Sequence, residues 1–231
     1  MIFSSEVFFE YLFQQRFAVA ACVTLIVAIA AQGIGVVIGL ILALFTLSRF
    51  RALRWFAAAY IWLWRGTPPL VQLFLLFFGL PQLGIRLTVI EAGLIGLGFY
   101  AASYMSEIIR AGIQSIHSDQ MQAARAMGFS RLEAVRFVIL PQALRVILPP
   151  FGNEFASMMR TTSLLSVISF EELLRVTRIA INETYNVIEL YSVAAVYYLA
   201  MYSAWLFVQS RLERMASRGS VPRDLGRQDI G

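Results

Sequence analysis

FAVAACVTLIVAIAAQGIGVVIGLILALFTLS, residues 17–48, contains no charged side chain and lies between Arg16 and Arg49. A helix rises about 1.5 Å per residue, so about 20 apolar residues cross the roughly 30 Å hydrocarbon core of a bilayer, and this stretch is long enough to span. It is too long, and followed by too much similar sequence, to be a cleaved signal peptide. Of 231 residues, 59% are hydrophobic and 14% charged, a balance that a soluble domain of this size would find hard to bury. The fold class is therefore an all-α integral membrane protein. The one cysteine, Cys22, falls inside this first span and reads as a small packing residue. A lone cysteine excludes a disulfide framework or a cysteine metal cluster within one chain.

Working outward, about five spans are expected. The first covers residues 17–47, with Gly33, Gly35 and Gly39 offering small faces to a neighbouring helix. The second covers residues 55–83 and is broken by RGTPP at 65–69, where two prolines remove backbone donors. The third, residues 88–113, carries GLIGLG; the fourth begins near Val138, and the fifth covers residues 187–209. Residues 171–184 are too polar to span and read as a surface or re-entrant element. Trp55, Trp62, Trp64 and Trp205 are either interfacial anchors or packing residues, with packing preferred for most of them.

Arginine sets the expected orientation. One side collects Arg49, Arg51, Arg54, Arg125, Arg131, Arg136, Arg211, Arg214, Arg218, Arg223 and Arg227. The other receives Arg16, Arg86, Arg175 and Arg178, diluted by six glutamates. That asymmetry puts the N-terminus outside, the C-terminus with a basic tail at 212–231 in the cytosol, and the loop before the fourth span in the cytosol. An odd number of spans agrees. Net charge is +5, but arginines placed between apolar spans speak for membrane orientation and against a nucleic-acid partner. Lysine is absent. A Walker A loop needs one, so this chain is no P-loop ATPase, and any ATP that drives it, with its Mg, is bound by another subunit.

That cytosolic segment, 119–136, opens the stretch DQMQAARAMGFSRLEAVRFVILPQALRVILPP, residues 119–150. Residues 118–129 favour a helix, capped by Ser118 or Asp119 and ended by Gly128 in a left-handed conformation. Met121, Ala124 and Met127 or Gly128 share a face, and Ala123 adds a small surface suited to a groove in another protein. Ser130 with Glu133 makes a capping-box pattern for a second helix. Helix, glycine turn and helix form a knob; a plain connecting loop is the other reading that these features allow.

The same residues resemble the cytoplasmic signature of ATP-binding cassette (ABC) importer permeases, Glu-Ala-Ala, three residues, Gly, then Ile-x-Leu-Pro. Here it stands as Gln122-Ala123-Ala124, Gly128 and Val138-Ile139-Leu140-Pro141 with the spacing intact. Gln122 replaces the glutamate, and with it any salt bridge that glutamate would make. Arg65-Gly66-Thr67-Pro68 with Val71-Gln72-Leu73-Phe74, YMSEIIRAGI at 104–113, LPQALR at 140–145, and Asn153 followed by Thr162-Ser163-Leu164 are similar, in order and spacing, to motifs of the subfamily importing polar amino acids. The resemblance covers most of the chain and implies a type I ABC importer permease fold forming one permease domain, with its core at 17–211. It also implies a dimer with an identical or paralogous permease, two cytosolic ABC ATPase subunits and an extracytoplasmic solute-binding protein. The helix at 118–129 becomes the coupling helix, with Gln122, Ala123, Ala124, Met127 and Gly128 meeting the ATPase. Localisation in the bacterial inner membrane follows.

If the fourth span enters the membrane near Gln142, Glu154 lies about 18 Å deeper, near the midplane. An ionisable residue there is expensive unless paired or lining a cavity. Glu154, Ser157, Met158 and Thr161 share one stripe, and Asn153, Ser157 and Arg160 a neighbouring one. Glu154 would accept from a solute ammonium, and Arg160, Thr161 or Asn153 would donate to its carboxylate. Pairing of Glu154 and Arg160 with other helices is the alternative. The subfamily often has an acid where Thr161 stands, so neutral or acidic amino acids, or analogues such as opines, are slightly favoured. Glu107 with Arg110 forms an expected internal pair, Arg65 is expected to be structural, and His117 to be a solvated loop residue. No His-Glu-x-x-His or Gly-x-Ser-x-Gly pattern supports a membrane enzyme, so no catalytic or metal-binding residue is expected. An ATP-independent channel or carrier would leave the knob unexplained.

Overall fold

The computed structural model describes residues 3–217, and all regular structure among them is helical. Helix α1 (Ser5–Leu12) precedes α2 (Gln15–Thr46), which contains the uncharged stretch. Next come α3 (Arg51–Gly66) and α4 (Pro69–Phe74), the latter continued by a π turn, Leu75–Gly79, and a 3-10 turn, Leu80–Leu83. Then follow α5 (Val89–Gln114), α6 (Ser118–Ala126), α7 (Arg131–Ala134), α8 (Leu140–Thr161), α9 (Leu173–Thr184) and α10 (Val187–Ser217).

Four continuous helical stretches are long and apolar enough to span: Gln15–Thr46, Val89–Gln114, Arg131–Ile168 and Val187–Ser217. The pair Arg51–Gly66 and Pro69–Leu83, bent by 101°, makes a fifth if taken as one broken span. Gln72 repairs that break. Its Nε2 donates to the Trp64 carbonyl (2.9 Å), in place of the N–H that Pro68 lacks, and to the Thr67 carbonyl (3.0 Å) at the bend.

The core is built on α2 against α5, where small residues bring the backbones together. A Cβ on Gly35 would meet Ala101 Cβ at 2.5 Å, and one on Gly39 would meet Met105 Cβ at 2.7 Å. Gly33, expected on the same small face, has open space around it. Cys22 is exposed on α2 rather than packed, and Trp55 and Trp62 also face outward. Trp205 does pack: its ring lies 4.4 Å from that of Phe155, and its Nε1 donates to the Gly152 carbonyl at 2.8 Å.

The fourth span starts earlier than its apolar run implies. The capping box at Ser130 and Glu133 opens a helix at Arg131 that passes through a π turn, Val135–Ile139, and on through Pro149 and Pro150. After a left-handed Ser169, the buried Glu172 starts α9 by accepting from the N–H groups of Leu174 (2.9 Å) and Arg175 (2.7 Å) and from the Tyr198 hydroxyl (3.2 Å). Burial pushes the Glu172 carboxyl up, and these three donors partly offset that rise.

Polar side chains tie one end of the bundle. Arg16 pairs with Glu183 at 3.1 Å, and Glu189 accepts from the Ser4 N–H at 2.8 Å, so the starts of α1, α2 and α10 meet the end of α9. At the other end, the start of α8 packs on the end of α5 (Ile147 on Gly112) and on α10 through Gln209. Residues 212–217 of the expected tail continue α10, while 218–231, with Arg218, Arg223 and Arg227, lie outside the described residues.

Candidate functional site

The knob is real, and its turn chemistry is explicit. Helix α6 begins at Ser118, but neither Ser118 nor Asp119 caps it; His117 occupies the cap position without a side-chain bond. His117 is exposed and sits 3.3 Å from Asp119, as expected of a solvated loop residue. The helix ends in a paired bridge: the Phe129 N–H donates to the Ala124 carbonyl (3.2 Å) and the Gly128 N–H to that of Arg125 (3.1 Å). Gly128 has φ +89°, and a Cβ there would meet nothing, so its requirement is conformational rather than steric.

The five expected docking residues do not all face outward. Gln122, Ala123, Met127 and Gly128 are exposed, with Met127 at 78%, a large apolar side chain with nothing of this chain to cover it. Ala124 is 3% exposed and seats α6 on its own chain. The seat is tied by Gln142, whose Nε2 donates to Gln120 Oε1 (3.2 Å) and to the Val138 carbonyl (2.9 Å). In the sequence Gln142 stands as a depth marker and as one residue of the LPQALR motif, with no partner indicated. Its tying role depends on the π turn before it, which no local pattern announces.

Farther along the same helix, Ser157, Arg160 and Thr161 line an open pocket of about 270 Å³ with Pro69, Tyr100 and Ser163. The Thr161 hydroxyl donates to the Ser157 carbonyl (3.0 Å) and the Ser163 hydroxyl to that of Arg160 (2.7 Å). Both oxygens thus offer acceptor lone pairs, so Thr161 is not the free donor the sequence reading made it. The Arg160 guanidinium lies 5.8 Å from the Tyr202 ring centre and has no ion pair among the described residues. Glu154 is half-buried one turn away and does not line the pocket; Asn153 is exposed outside it, and Met158 is fully buried in the core. Arg65 lies over the Tyr104 ring at 4.7 Å, and the Tyr104 and Tyr100 rings meet at a tilt with centres 5.0 Å apart. Glu107 and Arg110 pair at 2.7 Å, as their spacing predicts.

The Arg131–Ile168 helix thus carries the seat of α6 near its start and the pocket residues near its end. Residues 35–218 match the family described as the binding-protein-dependent transport system inner membrane component. The chain belongs to that family. This permease is similar to the probable glutamine ABC transporter permease protein GlnM of Bacillus subtilis, at 35% identity over 77% of this chain and 82% of the relative. It is also similar to the arginine transport system permease protein ArgU of Corynebacterium glutamicum, at 36% identity over 95% of this chain and 74% of the relative. A solved amino acid ABC transporter with histidines is 37% identical with a TM-score of 0.84, covering 93% of this chain and all of that one (100%). The methionine transporter MetNI, at 21% identity and a TM-score of 0.71, shares the fold. The permease is thus a multi-pass inner-membrane subunit with the type I ABC importer fold, in a family that works with separate ATPase and solute-binding partners.

Proposed function

We propose that this permease forms the membrane pathway of an ATP-driven importer for a polar amino acid, neutral or acidic slightly favoured, or a close analogue such as an opine. The observation that carries the reading is continuity: the Arg131–Ile168 helix bears the α6 tie at Gln142 and the pocket residue Arg160. Eighteen residues of helix separate them, about 27 Å at 1.5 Å per residue. Movement imposed on α6 therefore reaches the pocket through one rigid element.

Gln122, Ala123, Met127 and Gly128 dock on an ABC ATPase subunit, which binds ATP and Mg, and Ala124 holds them in place. ATPase closure displaces α6 and shifts the packing of α8 between two states that open to opposite sides. In the pocket, Arg160 takes the solute carboxylate in a charge-assisted pair. Thr161 and Ser163 offer acceptors to the ammonium, and Glu154 supplies the compensating charge behind them. The absence of an acid at Thr161 leaves Arg160 unneutralised, which supports a cargo without a cationic side chain. Two permease chains, identical or paralogous, build the pathway, with N-termini outside and C-termini in the cytosol, and a solute-binding protein delivers the cargo.

The test is reconstitution of the permease with its ATPase and solute-binding protein in vesicles. Uptake that requires ATP, and an ATPase that co-purifies with the permease, are expected. Uptake without ATP would establish an ATP-independent carrier instead.

A further inference from the structure

At the end of the bundle that carries α6, α8 and α10 enclose a groove of about 410 Å³ lined by Arg145, Pro149, Ser210, Glu213 and Arg214. Arg145 forms no ion pair among the described residues. Arg214 is fixed by Ser210, its Nε donating to the carbonyl (3.1 Å) and its Nη2 to the hydroxyl (3.3 Å), while Nη1 points to no described partner. Glu213 already accepts from Gln209 at 2.8 Å. Two guanidiniums against one committed carboxylate leave the groove cationic.

The surface beside this groove is apolar and uncovered. Leu206 and Phe207, one turn back from Ser210 on the same face of α10, are 42% and 61% exposed, and Val146 on α8 is 46% exposed. Arg211 lies 4.9 Å over the Phe207 ring, a cation held at the rim of that apolar surface. The sequence places the hydrocarbon boundary here too, since the fourth and fifth spans are expected to meet the cytosol near Gln142 and Gln209. A cationic groove at the foot of an apolar wall matches an amphiphile with an anionic head.

We propose that the α8–α10 groove binds the phosphodiester headgroup of an anionic phospholipid. Arg145 and Arg214 grip the phosphate oxygens through their planar forks, and the acyl chains lie along Val146, Leu206 and Phe207. A free phosphate would use the arginines but not the wall. The lipid bridges α8 and α10 beside the point where Gln209 Nε2 reaches the Pro149 carbonyl, so it braces the helix that links knob to pocket.

The permease–ATPase complex in phosphatidylcholine nanodiscs containing a minor share of phosphatidylglycerol tests this, with retained lipid counted by native mass spectrometry. Phosphatidylglycerol is expected to be enriched by roughly fivefold per arginine. The Arg145→Gln/Arg214→Gln variant should lose the enrichment while still co-purifying with the ATPase, and the double lysine variant, which keeps the charge without the fork, should keep part of it. Should the double glutamine variant not assemble, Arg145→Gln alone is expected to lose about fivefold. Undiminished enrichment in the glutamine variants would overturn the site. Displacement of the lipid by inorganic phosphate as readily as by added phosphatidylglycerol would reassign it to a free anion and overturn the lipid.

Discussion

Gln142 reaches from the first turns of α8 to Gln120 in α6, Nε2 to Oε1 at 3.2 Å, while the same nitrogen bonds the Val138 carbonyl at 2.9 Å. One side chain thus bonds within the π turn before Pro141 and fastens α6 to it. Pro141 brings no N–H to this turn, and the Gln142 amide adds a side-chain donor at the neighbouring Val138 carbonyl. Gln142→Leu keeps the volume and removes both bonds. It should leave the ATPase bound but reduce solute uptake per ATP hydrolysed, measured side by side in vesicles.

Gly128 tests the knob by conformation alone. Its φ of +89° costs an L-residue roughly 1 to 2 kcal/mol, and nothing crowds a new Cβ. Gly128→Ala should weaken co-purification of the ATPase, Gly128→Asn less so, and Gly128→Pro should abolish it while the protein stays in the membrane. Met127→Arg should abolish docking from the surface. Ala124→Arg should act differently, by unseating α6, visible as faster proteolysis of the 118–130 loop.

Arg160 is the pocket's cation and has no ion pair among the described residues. Loss of a hydrogen bond to a charged group costs about 1.5 to 3 kcal/mol, so Arg160→Gln should raise the apparent KM for uptake by roughly 10- to 100-fold. Basal ATP hydrolysis should be nearly unchanged, and Arg160→Lys should restore part of the affinity.

Glu172 gives the fold a pH dependence. Burial raises its carboxyl above the ordinary range, so the stability this group contributes is fully present below that range and is lost as pH rises through the raised value. The apparent Tm should fall over that interval. Glu172→Gln should flatten the profile while lowering the Tm throughout, because its amide nitrogen cannot accept from Leu174 or Arg175.

The five spans, the proline break and the knob were legible because each rests on a local signal: an uncharged run, a pair of prolines, a glycine after a helix. What the sequence hid depends on how the turns bring side chains onto particular carbonyls. The π turn joins α7 to α8, so the fourth span runs from Arg131, and Gln72, Gln142 and Gln209 acquired meaning only as donors to carbonyls at or near the prolines. The stripe through Glu154 was right in spacing, yet spacing does not say which face meets the core. Met158 went inward and Thr161 spent its proton on Ser157. Ser163 stood in a recognised motif, but its place on the pocket wall needed the turn after α8.

The central claim is that α6 drives the pocket through α8. With the exposed Cys22 replaced by alanine, the labelling rate of Ser163→Cys by a membrane-impermeant maleimide, with and without ATP, tests it in the assembled transporter. ATP should change that rate in the parent, and Gln142→Leu should largely erase the change while ATP hydrolysis continues. An equal ATP-dependent change with Gln142→Leu, or none in the parent, would contradict the account.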